Sequence, residues 1–216
     1  MPRLPPKFLP RPEDLAALKE KILSANHQPV AVTGTRRGVS IQGMGGIGKS
    51  VLAAAVARDE DVRQAFPDGV FWVALGQEPN VLSLQTELAR ELGEEKSAFS
   101  EVGGGKKFLT ELLTARRCFI VLDDIWQERH LRAFDVLGVH CRMLITTRDS
   151  GLVTGIGAAE HSLNLLSPDQ ASVLLAGWTG CEVADLPPQA DEIARECGYL
   201  PLALSMAGAM LKKTRR

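Results

Sequence analysis

The sequence predicts an α/β protein: a parallel sheet covered by helices on both faces, followed by a small all-helical unit. Three observations predict it. Apolar runs of strand length alternate with stretches of helical periodicity. A glycine-rich turn, "GMGGIGKS" at 43–50, joins one such run to an alanine-rich helical stretch. Beyond Leu166 only helical periodicity remains, which divides the chain into segments 1–28, 29–166 and 167–216.

The elements follow in order. Met1 to Pro10 is proline-rich and extended. Pro12 suits a first helical position, Glu13 and Asp14 suit a first turn, and Leu15, Leu18 and Ile22 share one face, so a short helix is expected there. Val30–Val32 and Val39–Ile41 read as short strands flanking the turn "TGTRRG", the second running into the glycine loop, with a helix from Lys49 to about Arg58. "VFWVAL" (70–75) reads as a buried strand. Leu84, Leu88 and Leu92 mark a helix that Gly93 terminates. Residues 94–105, ending in Gly103-Gly104-Gly105, are expected to form a mobile loop. A helix with Phe108, Leu109, Leu112 and Leu113 leads to the strand "CFIVL" (118–122). A further helix with Leu131, Phe134 and Leu137 leads to the strand "RMLITT" (142–147), and "HSLNL" (161–165) is the expected last strand. Ser167 and Gln170 then have capping-box spacing at a helix start.

Lys plus Arg number 25 against 26 Asp plus Glu, a net charge of −1. That balance gives no overall footprint for nucleic acid or an anionic membrane, and the terminal "KKTRR" reads as a solvated helix end. There is no cationic start followed by an apolar core, and no run approaches the ~18 apolar residues of a membrane span. A cytoplasmic protein is expected. Cys118, Cys141, Cys181 and Cys197 form no CxxC pair and no metal spacing with the histidines, and Cys118 and Cys141 read as buried free thiols.

The glycines at 43–50 fit three phosphate-binding loops. A dinucleotide fingerprint wants an acidic residue at the end of the second strand, but Asp61 and Asp68 precede "VFWVAL". A protein-kinase loop wants companion lysine, HRD and DFG motifs, which the sequence lacks. Lys49-Ser50 completes GxxxxGK[ST] and decides for the P-loop. Gly43 opens the turn. The backbone N–H groups of Gly45, Gly46, Ile47, Gly48, Lys49 and Ser50 can then curl around a phosphate, with Val51 in the first turn of a helix whose positive end faces it. Lys49 would reach the β- and γ-oxygens, and the Ser50 hydroxyl would ligate Mg²⁺.

Such a loop needs an acidic partner. "FIVLDDIW" (119–126) places Asp123 and Asp124 at the carboxyl end of a buried strand, where ligands bind in open α/β sheets. Asp123 is expected to hold the Mg²⁺ shell and Asp124 to orient or polarise an attacking water. Arg148, at the end of "MLITTR", would face the γ-phosphate and report its presence.

Together these motifs resemble the NB-ARC family of STAND signalling ATPases, known from plant resistance proteins and the animal apoptosome scaffold; the chain looks like a bacterial-type member. "GMGGIGKS" resembles the family's P-loop, "VFWVAL" its second strand, "FIVLDDIW" its acidic motif with the trailing Trp126, and "LITTRD" its sensor strand. "GYLPLALSMAG" (198–208) is similar to its GLPLAL segment, which general P-loop chemistry does not require. The resemblance implies a P-loop NTPase three-layer α/β/α fold, with residues 167–216 as a helical ARC subdomain. It places Pro201 near an adenine, and through "FLPRPEDL" it places Leu9 and Arg11 there too, although Pro10 stands where glycine is usual. It also implies ADP or ATP with Mg²⁺ as cofactors, and a switch in which ADP/ATP exchange and at most slow Mg-dependent hydrolysis control activation and self-assembly. Partners would be effector and sensor domains of a longer protein, with a homo-oligomer on activation; the family normally continues into a winged-helix subdomain, whereas this chain stops at "LKKTRR" and looks like an excised module. Two other readings compete: a small-molecule P-loop kinase, whose lid candidate is the loop at 103–105, and a AAA-type motor, which needs a finger arginine.

Overall fold

The computed structural model describes residues 1–24, 29–34, 45–95, 98–149, 151–152 and 158–214. Its centre is a five-stranded sheet: β1 (Val30–Gly34), β2 (Val70–Ala74), β3 (Phe119–Ile125), β4 (Arg142–Thr147) and β5 (Ala159–Leu163). The order is β2-β3-β4-β1-β5 and every pairing is parallel. All carboxyl ends therefore share one edge of the sheet.

Parallel strands are apolar on both faces because helices cover both. On β3, Phe119 and Val121 point into one core with Leu18, Ile22, Leu52, Val56 and Leu144. Ile120 and Leu122 point into the opposite core with Leu88, Leu109, Leu113, Phe134 and Ile145. Helices α1 (Pro12–Leu23), α2 (Lys49–Val56) and α3 (Glu60–Ala65) supply the first layer. Helices α4 (Val81–Glu91) and α5 (Val102–Leu113) supply much of the second, and α6 (Glu128–Arg132) follows β3. The three-layer α/β/α arrangement is the P-loop NTPase fold.

A third core lies beyond the sheet, built from Leu166, Ala171, Leu174, Ala194 and Leu204. It belongs to α7 (Pro168–Thr179), α8 (Ala190–Glu196) and α9 (Pro201–Thr214), with a 3₁₀ turn at Val183–Asp185. Ser167 and Gln170 do form a reciprocal capping box at the start of α7. Helices α7 and α9 touch closely at Gly208, where a Cβ would come within 2.6 Å of the Trp178 Cβ.

The structure corrects several expectations. Gly103, Gly104 and Gly105 are not a loop: they form the first turn of α5. The reason is packing, since a Cβ on Gly105 would lie 2.4 Å from Oε1 of the buried Gln85 on α4. Close approach of two helices overrides the low helical propensity of glycine there. Helix α3 was not expected; Asp59 caps it by accepting from the Asp61 and Val62 amides. Helix α6 ends at Arg132, and the buried Phe134 and Val136 sit in turns closed by Phe134 N–H to Leu131 O and Val136 N–H to Phe134 O, each 2.9 Å. The last strand starts two residues early because Ala159 pairs with Val30 at the start of β1. The strand expected at Val39–Ile41 lies outside the described residues. Cys118 and Cys141 are buried free thiols.

Candidate functional site

The P-loop, described from Gly45 onward, emerges at the carboxyl edge of the sheet. Gly46 (φ 92°) and Gly48 (φ 102°) occupy the left-handed region, and Gly48 caps the start of α2. A side chain at Gly48 would meet nothing within 4 Å, so its requirement is purely dihedral. At Gly46 contact adds to it, because a Cβ would lie 2.8 Å from the Leu202 Cβ. Gly43 lies outside the described residues.

Lys49 opens α2 and is 9% exposed. Burial, and then the nearby Arg148 charge, push its pKa below the ordinary lysine value, while Asp124 and Asp123 raise it. A cation held at that cost in a cleft is set for an anion.

Asp123 lies at the end of β3, and its Oδ1 accepts two hydrogen bonds of 2.6 Å, from the hydroxyls of Ser50 and Thr146. In a regular strand Asp123 and Asp124 would point to opposite faces. The β3–β4 register instead slips between Leu122 and Ile125: Leu122 pairs with Ile145, but Ile125 with Thr147. Asp124 takes up the extra residue at φ 55°. Its amide donates to the Thr146 hydroxyl at 2.8 Å. One hydroxyl thus holds the carboxylate of one aspartate and the backbone of the next.

Arg148 follows β4. Its Nε lies 3.5 Å from Asp124 Oδ1, and its guanidinium carbon lies 4.7 Å from the centre of the Trp126 ring. The helical unit closes the opposite wall. Leu202, near the start of α9, donates its N–H to Gly46 O at 3.2 Å, and Pro201 precedes it.

These parts enclose a cleft of about 250 Å³ lined by Gly45, Gly46, Gly48, Lys49, Ser50, Val51, Asp124, Thr146, Arg148, Pro201, Leu202 and Ser205, with Pro5 from the amino-terminal segment. Ile47 belongs to the same loop but is buried in the core. Leu9 and Arg11 do not line the cleft. Leu9 packs against the core of the helical unit, and Arg11 pairs with Asp14 at 2.9 Å and donates to Asn164 O at 2.6 Å. Sequence reasoning missed Pro5, Thr146, Leu202 and Ser205. The doubled threonine at the end of a strand facing Asp-Asp was the available signal for Thr146.

Fold and cleft together define a P-loop nucleotide-binding protein. The comparisons with known proteins specify it further: the chain belongs to the NB-ARC domain family, whose model matches residues 15–180. It is 32% identical over 227 residues to apoptotic protease-activating factor 1 of Danio rerio, covering 99% of this chain and 17% of that protein. It is 30% identical over 193 residues to disease resistance protein RPM1 of Arabidopsis thaliana, covering 80% of this chain and 21% of that one. Against regulatory protein AfsR of Streptomyces griseus it is 29% identical over 221 residues, covering 100% of this chain and 22% of the other. The chain therefore spans about a fifth of the length of these relatives. It is a nucleotide-binding module of the kind found in signalling proteins. Among the described residues, no helix is long and apolar enough to cross a membrane.

Proposed function

We propose that this module is an adenine-nucleotide switch: ADP holds the helical unit against the P-loop, and ATP permits opening and self-association of a longer cytoplasmic protein. The observation that carries the reading is that the cleft is shared. Its phosphate end belongs to the α/β unit, and its other wall, Pro201, Leu202 and Ser205, belongs to the helical unit. A ligand there contacts both units, and only contacts that differ between two nucleotides can shift the balance between their arrangements.

Lys49 and the loop amides bind the phosphates, and Pro201 with Pro5 offers apolar surface for a base. Ser50 and Asp123 are an all-oxygen pair already in contact at 2.6 Å, which suits the hard-ligand preference of Mg²⁺. Bound there, Mg²⁺ would supply positive charge to the phosphate oxygens. In this reading Asp124 orients water, and Arg148 touches a γ-phosphate that ADP lacks. The relatives named for apoptosis and disease resistance support a signalling role, with effector and sensor domains as partners.

The small-molecule kinase reading loses support because its lid candidate, Gly103–Gly105, is a helical turn packed on α4. Denaturing the purified protein and identifying the released nucleotide by chromatography tests the proposal. ADP or ATP is expected. Release of a guanine nucleotide, or phosphate transfer to a metabolite in a screen, would refute it.

A further inference from the structure

We propose that Trp126 is the positioning residue for Arg148: its ring is the platform on which the guanidinium is held ready for a γ-phosphate, so that Trp126 sets the preference for ATP over ADP without touching either. The inference rests on the reading of Arg148 as the γ-phosphate contact.

The placement is written into the strand register. Ile125 pairs with Thr147, so the next residues along the two neighbouring strands, Trp126 and Arg148, leave the sheet side by side. The guanidinium carbon sits 4.7 Å from the ring centre, within the range of cation–π attraction. The guanidinium also lies against the P-loop, 3.2 to 3.3 Å from where a Gly45 Cβ would be. Asp124 approaches Nε at 3.5 Å. The Trp126 indole N–H is buried and has no hydrogen-bond partner among the described residues. The ring face is thus the part of Trp126 seen to engage the arginine.

Each contact has a different consequence. An arginine side chain has several rotatable bonds, and fixing them at the moment of binding would subtract from affinity. A carboxylate can hold the arginine but offsets its charge. An aromatic face holds it and leaves the charge directed at an incoming phosphate. Gly45 completes the slot, since a Cβ there would crowd the guanidinium at 3.2 to 3.3 Å. Trp126 and Gly45 thus place Arg148 on the cleft wall before nucleotide arrives, in the manner of a preorganised contact.

The test measures ADP and ATP affinities, the latter with Mg²⁺ and a non-hydrolysable analogue as control, for wild type, Trp126→Leu, Trp126→Phe, Arg148→Ala and the Trp126→Leu/Arg148→Ala double variant. Trp126→Leu should lower the ATP-to-ADP affinity ratio about three- to tenfold. Trp126→Phe, which keeps an aromatic face, should recover most of the ratio. In the Arg148→Ala background, Trp126→Leu should change the ratio no further, because the tryptophan acts through the arginine. An unchanged ratio in Trp126→Leu, equal loss for both nucleotides, or full additivity in the double variant would overturn the inference. If Arg148→Ala itself weakens ADP and ATP equally, the γ-phosphate reading falls, and the tryptophan proposal with it. Should Trp126→Leu fail to fold, Trp126→Phe still decides: a ratio no closer to wild type than that of Arg148→Ala counts against the platform.

Discussion

Replacing Thr146 by valine tests the device that presents both aspartates. The substitution keeps the shape of a side chain that is 1% exposed and removes only its hydroxyl. Two hydrogen bonds are lost: the donation to Asp123 Oδ1 at 2.6 Å and the acceptance from the Asp124 amide at 2.8 Å. A hydrogen bond to a charged group contributes about 1.5–3 kcal/mol, and an orphaned buried donor costs about 1–3 kcal/mol. Ser50 still donates to the same carboxylate oxygen at 2.6 Å, and the Asp124 amide is only partly buried, so both terms fall at their low ends. The expected loss is about 2.5 kcal/mol, or roughly 5–10 °C in melting temperature for a chain of this size. Thr146→Ser keeps the hydroxyl and loses one methyl, about 0.8 kcal/mol. Thermal melts followed by circular dichroism compare the two. A Mg²⁺ titration in the presence of ATP should show a further effect, a roughly tenfold weaker metal dependence in the valine variant, because Asp123 loses an orienting partner. If valine melts within about 2 °C of wild type, or serine behaves like valine, the hydroxyl does not hold the bulge.

Lys49→Ala should weaken ADP and ATP at least tenfold, about 1.4 kcal/mol, in calorimetry; unchanged affinity would remove the P-loop from the site. Because burial lowers the Lys49 pKa, the unfolded chain binds more protons between that lowered value and the ordinary 10.5, so the stability of the nucleotide-free protein should rise with pH across that window while nucleotide affinity falls. Denaturant titrations should show Lys49→Met flattening the stability trend, and a trend of equal slope in that variant would assign it elsewhere. Gly103→Ala, with open space at the new Cβ, should stabilise by about 0.5–1 kcal/mol, whereas Gly105→Ala should destabilise by about 1–3 kcal/mol as it displaces Gln85. Melting temperatures that move in the same direction would contradict the close contact of α4 with α5. The isolated chain should turn over ATP far below about 1 s⁻¹, the low end for dedicated phosphotransferases; a faster rate would make it an enzyme in its own right.

Strands β2, β3 and β4 were legible because two buried faces leave an unbroken apolar run, as in "FIVL". That Ser50, Lys49 and the two aspartates come together was legible because a P-loop and its acidic partner place particular residue types at fixed spacing. What stayed hidden depends on pairing between distant segments. Whether Gly103–Gly105 coils freely or starts a helix is decided by Gln85 on another helix, and no local propensity contains that information. The bulge at Asp124 exists only relative to β4. Leu9 and Arg11 were assigned a base contact by resemblance alone; in the structure Leu9 packs against the helical core and Arg11 pairs with Asp14. The polar start of α3 was hidden by its brevity, although Asp59 is a recognisable cap.

The contact between Gly46 and Leu202 joins the phosphate loop to the helical unit. The first amides of a helix lack partners within it. In α9, Pro201 carries no N–H to satisfy, and the next amide, on Leu202, is satisfied by the P-loop carbonyl of Gly46 rather than by a capping side chain. The loop therefore serves as part of the cap of α9. Its glycine is constrained twice, by a left-handed φ and by the Leu202 side chain against its Cα. A displacement of the loop relative to the helical unit would break this hydrogen bond. Helix α9 in turn meets α7 at Gly208 with no room for a methyl group. Of these two close contacts, that of Gly46 with Leu202 lies in the wall of the cleft itself, whereas that of Gly208 with Trp178 lies away from it.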